Sequence, residues 1–296
     1  MLRMLRLQGK ALDTADQQGL TPLHTAARGG HISAVDFLLR HAKTLLNRQD
    51  RHGRTALWWS TYSFQDRVTQ RLLQEKDVEV NTFGTCGMST SLHHLARRKD
   101  TTVLAWFLSQ PSLNPNLRGD SQSPLCLAIQ QGNTAVVRLL LTHTKTQINA
   151  MDNYSESPLL LATKEGHRDM VQLLVWQGDR LQINQLNCPD EETALCVAIR
   201  HGRLDMLEAL LGHPQINIDV INRWGETALL LAVRREDPAM VSRLLQGPNL
   251  PCILVLPAEV AQSRKNRDMA RLIQEAMKQK GHCDYSSWNQ GSCNWD

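Results

Sequence analysis

One four-residue phrase returns seven times along this 296-residue chain at nearly constant spacing. It reads Thr21-Pro22-Leu23-His24, Thr55-Ala56-Leu57-Trp58, Thr90-Ser91-Leu92-His93, Ser123-Pro124-Leu125-Cys126, Ser157-Pro158-Leu159-Leu160, Thr193-Ala194-Leu195-Cys196 and Thr227-Ala228-Leu229-Leu230. The intervals are 34, 35, 33, 34, 36 and 34 residues. A period of that length predicts one supersecondary unit per repeat, each burying its apolar face only against its neighbours.

A second phrase keeps the same phase. An apolar pair falls 17 and 18 residues after each Thr or Ser: Leu38-Leu39, Leu72-Leu73, Phe107-Leu108, Leu140-Leu141, Leu174-Val175, Leu210-Leu211 and Leu244-Leu245. Nine residues after it, four units carry Gly30, Gly132, Gly166 and Gly202. Glycine accepts the left-handed conformation that closes a helix. Phe64, Lys99 and Glu236 occupy this place in the other units and predict less regular turns there.

Each unit therefore reads as a short helix, a tight turn, a longer helix and a polar loop. The Thr or Ser is a suitable N-cap, because its oxygen accepts an otherwise unpaired backbone N–H. Pro22, Pro124 and Pro158 suit the first helical position. After the longer helix, stretches such as Gln147-Ile148-Asn149 and Gln215-Ile216-Asn217-Ile218 predict an extended turn into the next unit.

The phrase Thr21-Pro22-Leu23-His24, with Ala26-Ala27 and Gly30-His31, resembles the ankyrin-repeat motif, and the resemblance spans at least residues 5–246. It implies an all-α solenoid, a stack of helix-turn-helix units with β-hairpin-like loops. Residues 1–20 are expected to form an N-terminal partial or capping repeat, either a shortened natural cap or the remainder of a unit in a larger protein. Seven repeats occupy 21–255, starting near 21, 55, 90, 123, 157, 193 and 227. A degenerate capping repeat over 256–280 and a flexible tail over 281–296, with Trp288 and Trp295, complete the reading.

Composition removes several alternatives. Lys and Arg exceed Asp and Glu by 33 to 29, a small, unclustered excess that argues against direct nucleic-acid binding. The densest apolar run, Cys252 to Leu256, is far shorter than the ~18 to 20 residues of a membrane span. The seven cysteines are odd in number and irregularly spaced, which favours a reducing compartment, and the N-terminus lacks the unbroken apolar stretch of a secretory signal. An intracellular protein is expected, cytoplasmic or nuclear.

Ankyrin-type arrays bind other proteins through hairpin tips and the exposed face of the short helices, so the resemblance implies a non-enzymatic interaction module. The tips precede each Thr or Ser and include Arg51, His52, Arg54, Tyr154, Arg223 and Trp224. Arg, Tyr and Trp are the residue types most enriched at binding hot spots, and Trp224 is the foremost candidate. Seven residues after each Thr or Ser stand Arg28, Tyr62, Arg97, Gln130, Lys164, Arg200 and Arg234, five basic and none acidic. Such a ladder would suit a protein partner with an acidic segment.

Catalytic and metal chemistry find little support. His24 and His93 stand at the motif histidine, which in ankyrin repeats ties neighbouring loops. Trp58, Cys126, Leu160, Cys196 and Leu230 replace it elsewhere and predict fewer such ties. Cys126 and Cys196 lie two units apart, roughly 20 Å, beyond disulfide reach, and read as small buried residues. Cys86 and Cys188 fall in irregular hairpins without an activating pattern. His282, Cys283 and Cys293 are too widely spaced to signal a metal site. No phosphate loop or nucleophile motif occurs, so no cofactor and no small-molecule substrate are expected. The leading expectation is a scaffold or adaptor. Thr55-Ala56-Leu57-Trp58-Trp59 resembles arrays of filamentous fungi, which adds a transcriptional co-regulator of a biosynthetic gene cluster as an alternative. A fragment of a larger multidomain enzyme or signalling protein is the alternative of another class.

Overall fold

The computed structural model describes residues 12–84, 89–119, 122–246 and 267–279. Among them are fifteen α-helices and no strand. Among the described residues, antiparallel pairing is confined to two isolated bridges, Phe83 with Thr90 and Gly119 with Gln122. The chain divides into two compact units, Met1–Asn153 and Tyr154–Asp296.

The first unit holds α1 (Pro22–Arg28), α2 (Ile32–His41), α3 (Ala56–Tyr62), α4 (Asp66–Leu73), α5 (Ser91–Ala96), α6 (Thr102–Leu108), α7 (Pro124–Gln130) and α8 (Thr134–Thr142). The second holds α9 (Pro158–Glu165), α10 (Arg168–Val175), α11 (Ala194–Arg200), α12 (Leu204–Leu211), α13 (Ala228–Arg234), α14 (Pro238–Leu245) and α15 (Arg267–Gln279). Within the first unit the short helices pack in series, α1 on α3, α3 on α5 and α5 on α7, and the longer ones follow as α2, α4, α6 and α8. The second unit repeats this with α9, α11 and α13, and with α10, α12 and α14. Serial packing of like helices is the all-α solenoid expected from the period.

The phrase explains the elements. Thr55, Ser123, Ser157, Thr193 and Thr227 each accept the backbone N–H of the third helical residue through the side-chain oxygen, at 3.2–3.3 Å. At Thr21 and Thr90 the third residue is histidine, and its Nδ1 accepts the N-cap backbone N–H, at 3.0 and 3.2 Å. The phrase leucine is buried in all seven units, and so is the first member of every apolar pair. Leu108, Val175 and Leu245, second members, are only partly covered.

Two expectations about irregularity are revised. Gly30, Gly132, Gly166 and Gly202 are left-handed, with φ of 66–84°, and Phe64 and Glu236 adopt the same turn at φ 58° and 60°. The geometry therefore survives the loss of glycine in those two units. In the third unit α5 stops at Ala96 and Lys99 is not left-handed.

The seam also keeps a tie where histidine is absent. His24 Nε2 lies 3.0 Å from the Arg54 carbonyl and His93 Nε2 lies 3.1 Å from the Gln122 carbonyl. Trp58 reaches the equivalent carbonyl, its indole N–H donating to Ser89 at 2.9 Å. Replacing Trp58 by Phe should leave that carbonyl without its donor and lower stability by about 1 to 2 kcal/mol in chemical denaturation, while Trp58→His should recover part of the loss. Cys126, Leu160 and Leu230 instead pack as buried side chains. Cys196 does so too, with its sulfur accepting from the Thr193 hydroxyl at 3.4 Å.

Asparagines stitch the polar loops. Asn81 Nδ2 donates to the Ser112 carbonyl and its Oδ1 accepts from the Asn114 N–H. Asn116 and Asn184 do the same one repeat onward, to Lys145 and Gln147 and to Gln215 and Asn217. One side chain thereby satisfies a donor and an acceptor of the next loop, which an extended turn cannot do alone.

Of the predicted termini, residues 1–11, 256–266 and 280–296 lie outside the described residues, and with them Trp288, Trp295, His282, Cys283 and Cys293. Helix α15 packs on α14 and buries Met269, Ala270, Ile273 and Ala276.

Candidate functional site

In the second unit the hairpin before α13 is built on Asn222, whose Oδ1 accepts the backbone N–H of Trp224 and of Glu226 at 3.0 and 2.9 Å. This Asx turn projects Trp224, which stays 51% exposed. Two guanidinium groups flank the indole, Arg200 at 5.1 Å and Arg223 at 5.6 Å from the ring centre. Arg223 is anchored to the preceding hairpin, its backbone N–H donating to the Asp190 carbonyl and its side chain to the Pro189 carbonyl. The structure thus brings together Arg200, Arg223 and Trp224 of the sequence-predicted residues. Tyr154 is 71% exposed at its own tip.

The groove-position cations of this unit are not bare charges. Lys164 pairs with Glu156, Arg200 with Glu192 and Arg234 with Glu226, each acid standing just before the N-cap. Desolvation pushes the Glu192 carboxyl above its ordinary range, against the pull of Arg200. A carboxyl raised by folding penalises the folded state above its ordinary pKa, and lowering the pH lifts the penalty. Glu192→Gln is therefore expected to keep or raise the melting temperature at pH 7, an advantage that shrinks on acidification, and to strengthen binding to an acidic partner by unmasking Arg200. Melting curves at pH 7 and 4 check the first effect.

In the first unit the predicted tip residues divide. Arg51 is exposed and His52 is partly covered. Arg54 is turned inward, contrary to its expected role at the surface. Its Nε donates to Asp50 Oδ2 at 2.8 Å, and its guanidinium lies 4.2 Å from the Trp59 ring centre and 5.5 Å from that of Trp58. The buried Asp50 carboxylate also accepts from the backbone N–H of His52 and Arg54 and from the Trp59 indole N–H. Desolvation acts to raise its pKa, but these donors outweigh it and hold Asp50 below the usual carboxylate value.

Tyr62 stacks on Trp58 at 5.0 Å with 52% of its surface open. Its ring and that of Phe64 border a cavity of about 660 Å³, with His94 and Arg97 also lining it. Burial, reinforced by the charge of Arg97, lowers the His94 pKa to about 4, so the imidazole is neutral near pH 7. Arg98 is held by both oxygens of Asp66 at 2.8 and 2.9 Å.

Reactive chemistry is muted. Burial pushes the Cys126 thiol up to about 11 and raises Cys196 as well, so neither is a ready nucleophile. Among the described residues no cluster of three or more His, Cys, Asp and Glu could hold a metal ion, and no helix is long and apolar enough to cross a membrane.

Sequence reasoning passed over Asp50 and the Phe64 ring, and it placed Glu156, Glu192 and Glu226 at the tips without pairing them with the groove cations. It also passed over Trp176, 74% exposed at the end of α10. The glutamates had a signal, a Glu eight residues before each paired cation. Trp176 had none.

Sequence models described as ankyrin repeats match residues 1–83, 92–185 and 195–245. Mouse Rabankyrin-5 is 27% identical over 223 residues, 75% of this chain and 19% of that protein. The ankyrin repeat domain-containing protein SAT10 of Stachybotrys chartarum is 28% identical over 238 residues, 80% of this chain and 10% of that protein. The chain therefore spans a fifth or less of these relatives. A putative glutaminase of Caenorhabditis elegans matches over only 71 residues, 24% of this chain. Among solved structures, the ankyrin repeat domain of Bcl-3, a member of the IkappaB family, superposes with a TM-score of 0.66 at 23% identity, covering 76% of this chain and 98% of that one. That likeness concerns the fold.

Proposed function

Because the chain belongs to the ankyrin-repeat family, we propose that it is a non-enzymatic module that binds a partner protein through its hairpin tips and the exposed faces of its short helices. The observation that carries this reading is Trp224, an indole left half exposed between two arginines at a tip whose backbone is fixed by Asn222. An aromatic side chain presented on a rigid turn loses little entropy when a partner covers it.

The contacting residues on this reading are Arg200, Arg223 and Trp224, with Tyr154, in the second unit, and Arg51, Tyr62 and Arg97 in the first. Arg54 is assigned instead to holding its hairpin. The attraction to acidic segments centres on the first unit, since Lys164, Arg200 and Arg234 share their charge with glutamates.

The test is affinity purification of the tagged chain from cells that express it, comparing wild type, Trp224→Ala and Trp176→Ala. A partner retained by wild type and Trp176→Ala but lost from Trp224→Ala supports the reading. Identical captures by all three would overturn the role of the tip.

A further inference from the structure

We propose that the cavity beside Phe64 receives a bulky apolar side chain of a partner peptide, with a neighbouring carboxylate of that peptide set against Arg97 and Lys99. The proposal rests on the protein-binding reading and names the partner chemistry for one site.

The first observation is the backbone of Phe64. Its place in the repeat is held by glycine in four other units, and Phe64 adopts their left-handed turn at φ 58°, a conformation that side chains disfavour. Burial does not compensate, because the residue is 67% exposed. Its ring meets the Arg98 guanidinium at 5.1 Å, yet Arg98 is already held by both carboxylate oxygens of Asp66. Strain kept for an open ring marks a position with work at the surface.

The second observation is the cup. Tyr62 forms a wall that is already set, stacked on Trp58 at 5.0 Å and edge-on to His94 at 5.3 Å. With Phe64 it bounds about 660 Å³, more than one side chain needs and enough for that side chain with its flanking backbone.

The third observation is charge. Arg97 and Lys99 line the cavity and are exposed, and neither forms an ion pair among the described residues. Arg98 is balanced by Asp66, and the Asp100 carboxylate, which accepts the Thr102 backbone N–H at 2.9 Å, offsets one of the two remaining cations. The unbalanced charge is positive and stands at the rim of an aromatic cup. An apolar residue next to Asp or Glu satisfies both parts at once.

The experiment pans a phage-displayed library of random dodecapeptides on the full chain. The enriched peptides are then titrated against wild type, Phe64→Gly, the double variant Arg97→Glu/Lys99→Glu, and Trp224→Ala. The expected peptides carry a bulky apolar residue within two positions of Asp or Glu. They should lose about tenfold in affinity on Phe64→Gly and at least as much on the charge reversal, and be unaffected by Trp224→Ala. Phe64→Gly should melt at or above wild type, because glycine relieves the turn. Melting below wild type would give the ring a structural duty and overturn the strain argument, while the surface double variant would still test the site. Enriched peptides without that pattern, or binding both cavity variants as well as wild type, overturn the proposal. If such peptides also lose Trp224→Ala, the protein-binding reading stands without this site. No enrichment on any surface overturns both.

Discussion

Trp224→Ala is expected to weaken the chain's hold on its partner about 30-fold, or roughly 2 kcal/mol, with no change in melting temperature. The two parts of that result have separate causes. Affinity falls because the indole is the large, half-exposed surface at the tip and because Arg200 and Arg223 pack against its ring. Arginines released from that stack regain rotamer freedom that binding must remove again. Stability holds because the hairpin does not depend on the indole. Asn222 fixes the turn through its side chain, and Arg223 ties it to the preceding hairpin through its backbone. Trp224→Phe, which keeps an aromatic face, should lose less. Titration with the recovered partner, alongside melting curves, checks both halves.

Asp50→Ala should produce the largest stability loss, about 3 to 5 kcal/mol in the first unit. The carboxylate is buried beneath the hairpin and receives two backbone N–H groups, the Arg54 side chain and the Trp59 indole N–H. Truncation leaves all four donors short of their acceptor and strands the Arg54 guanidinium between two tryptophans. Because folding depresses the Asp50 pKa, its contribution is complete above the ordinary carboxylate value of about 4 and is lost as pH falls through the lower folded value. The gap between wild type and Asp50→Ala should therefore be constant from pH 5 to 7 and close only in strong acid. Hydrogen exchange at residues 50–60, compared with chemical denaturation of the whole chain, separates this local loss from effects on the second unit.

Much of the fold was legible because it repeats. The Thr or Ser cap, the buried leucine two residues later and the apolar pair recur in phase, and the structure places each as the period predicts. What the period hides is substitution that preserves a job. Trp58 in the place of histidine looked like a lost tie, yet an indole N–H reaches the same carbonyl. Phe64 in the place of glycine looked like an irregular turn, yet the backbone keeps its left-handed form and the ring becomes part of a cavity. The groove cations were visible as residues but not as pairs. Glu192 precedes the N-cap Thr193 and Arg200 closes the last turn of α11, so the eight-residue spacing becomes readable as a pair only once the helix between them is placed.

The most direct test of partner binding through tips and short-helix faces is hydrogen exchange of the full chain with and without its recovered partner. Slowed exchange at 222–226 and around 61–64, with the longer helices α10 and α14 unchanged, is the predicted footprint. Protection confined to those longer helices, with the tips exchanging as freely as in the unbound chain, would contradict it.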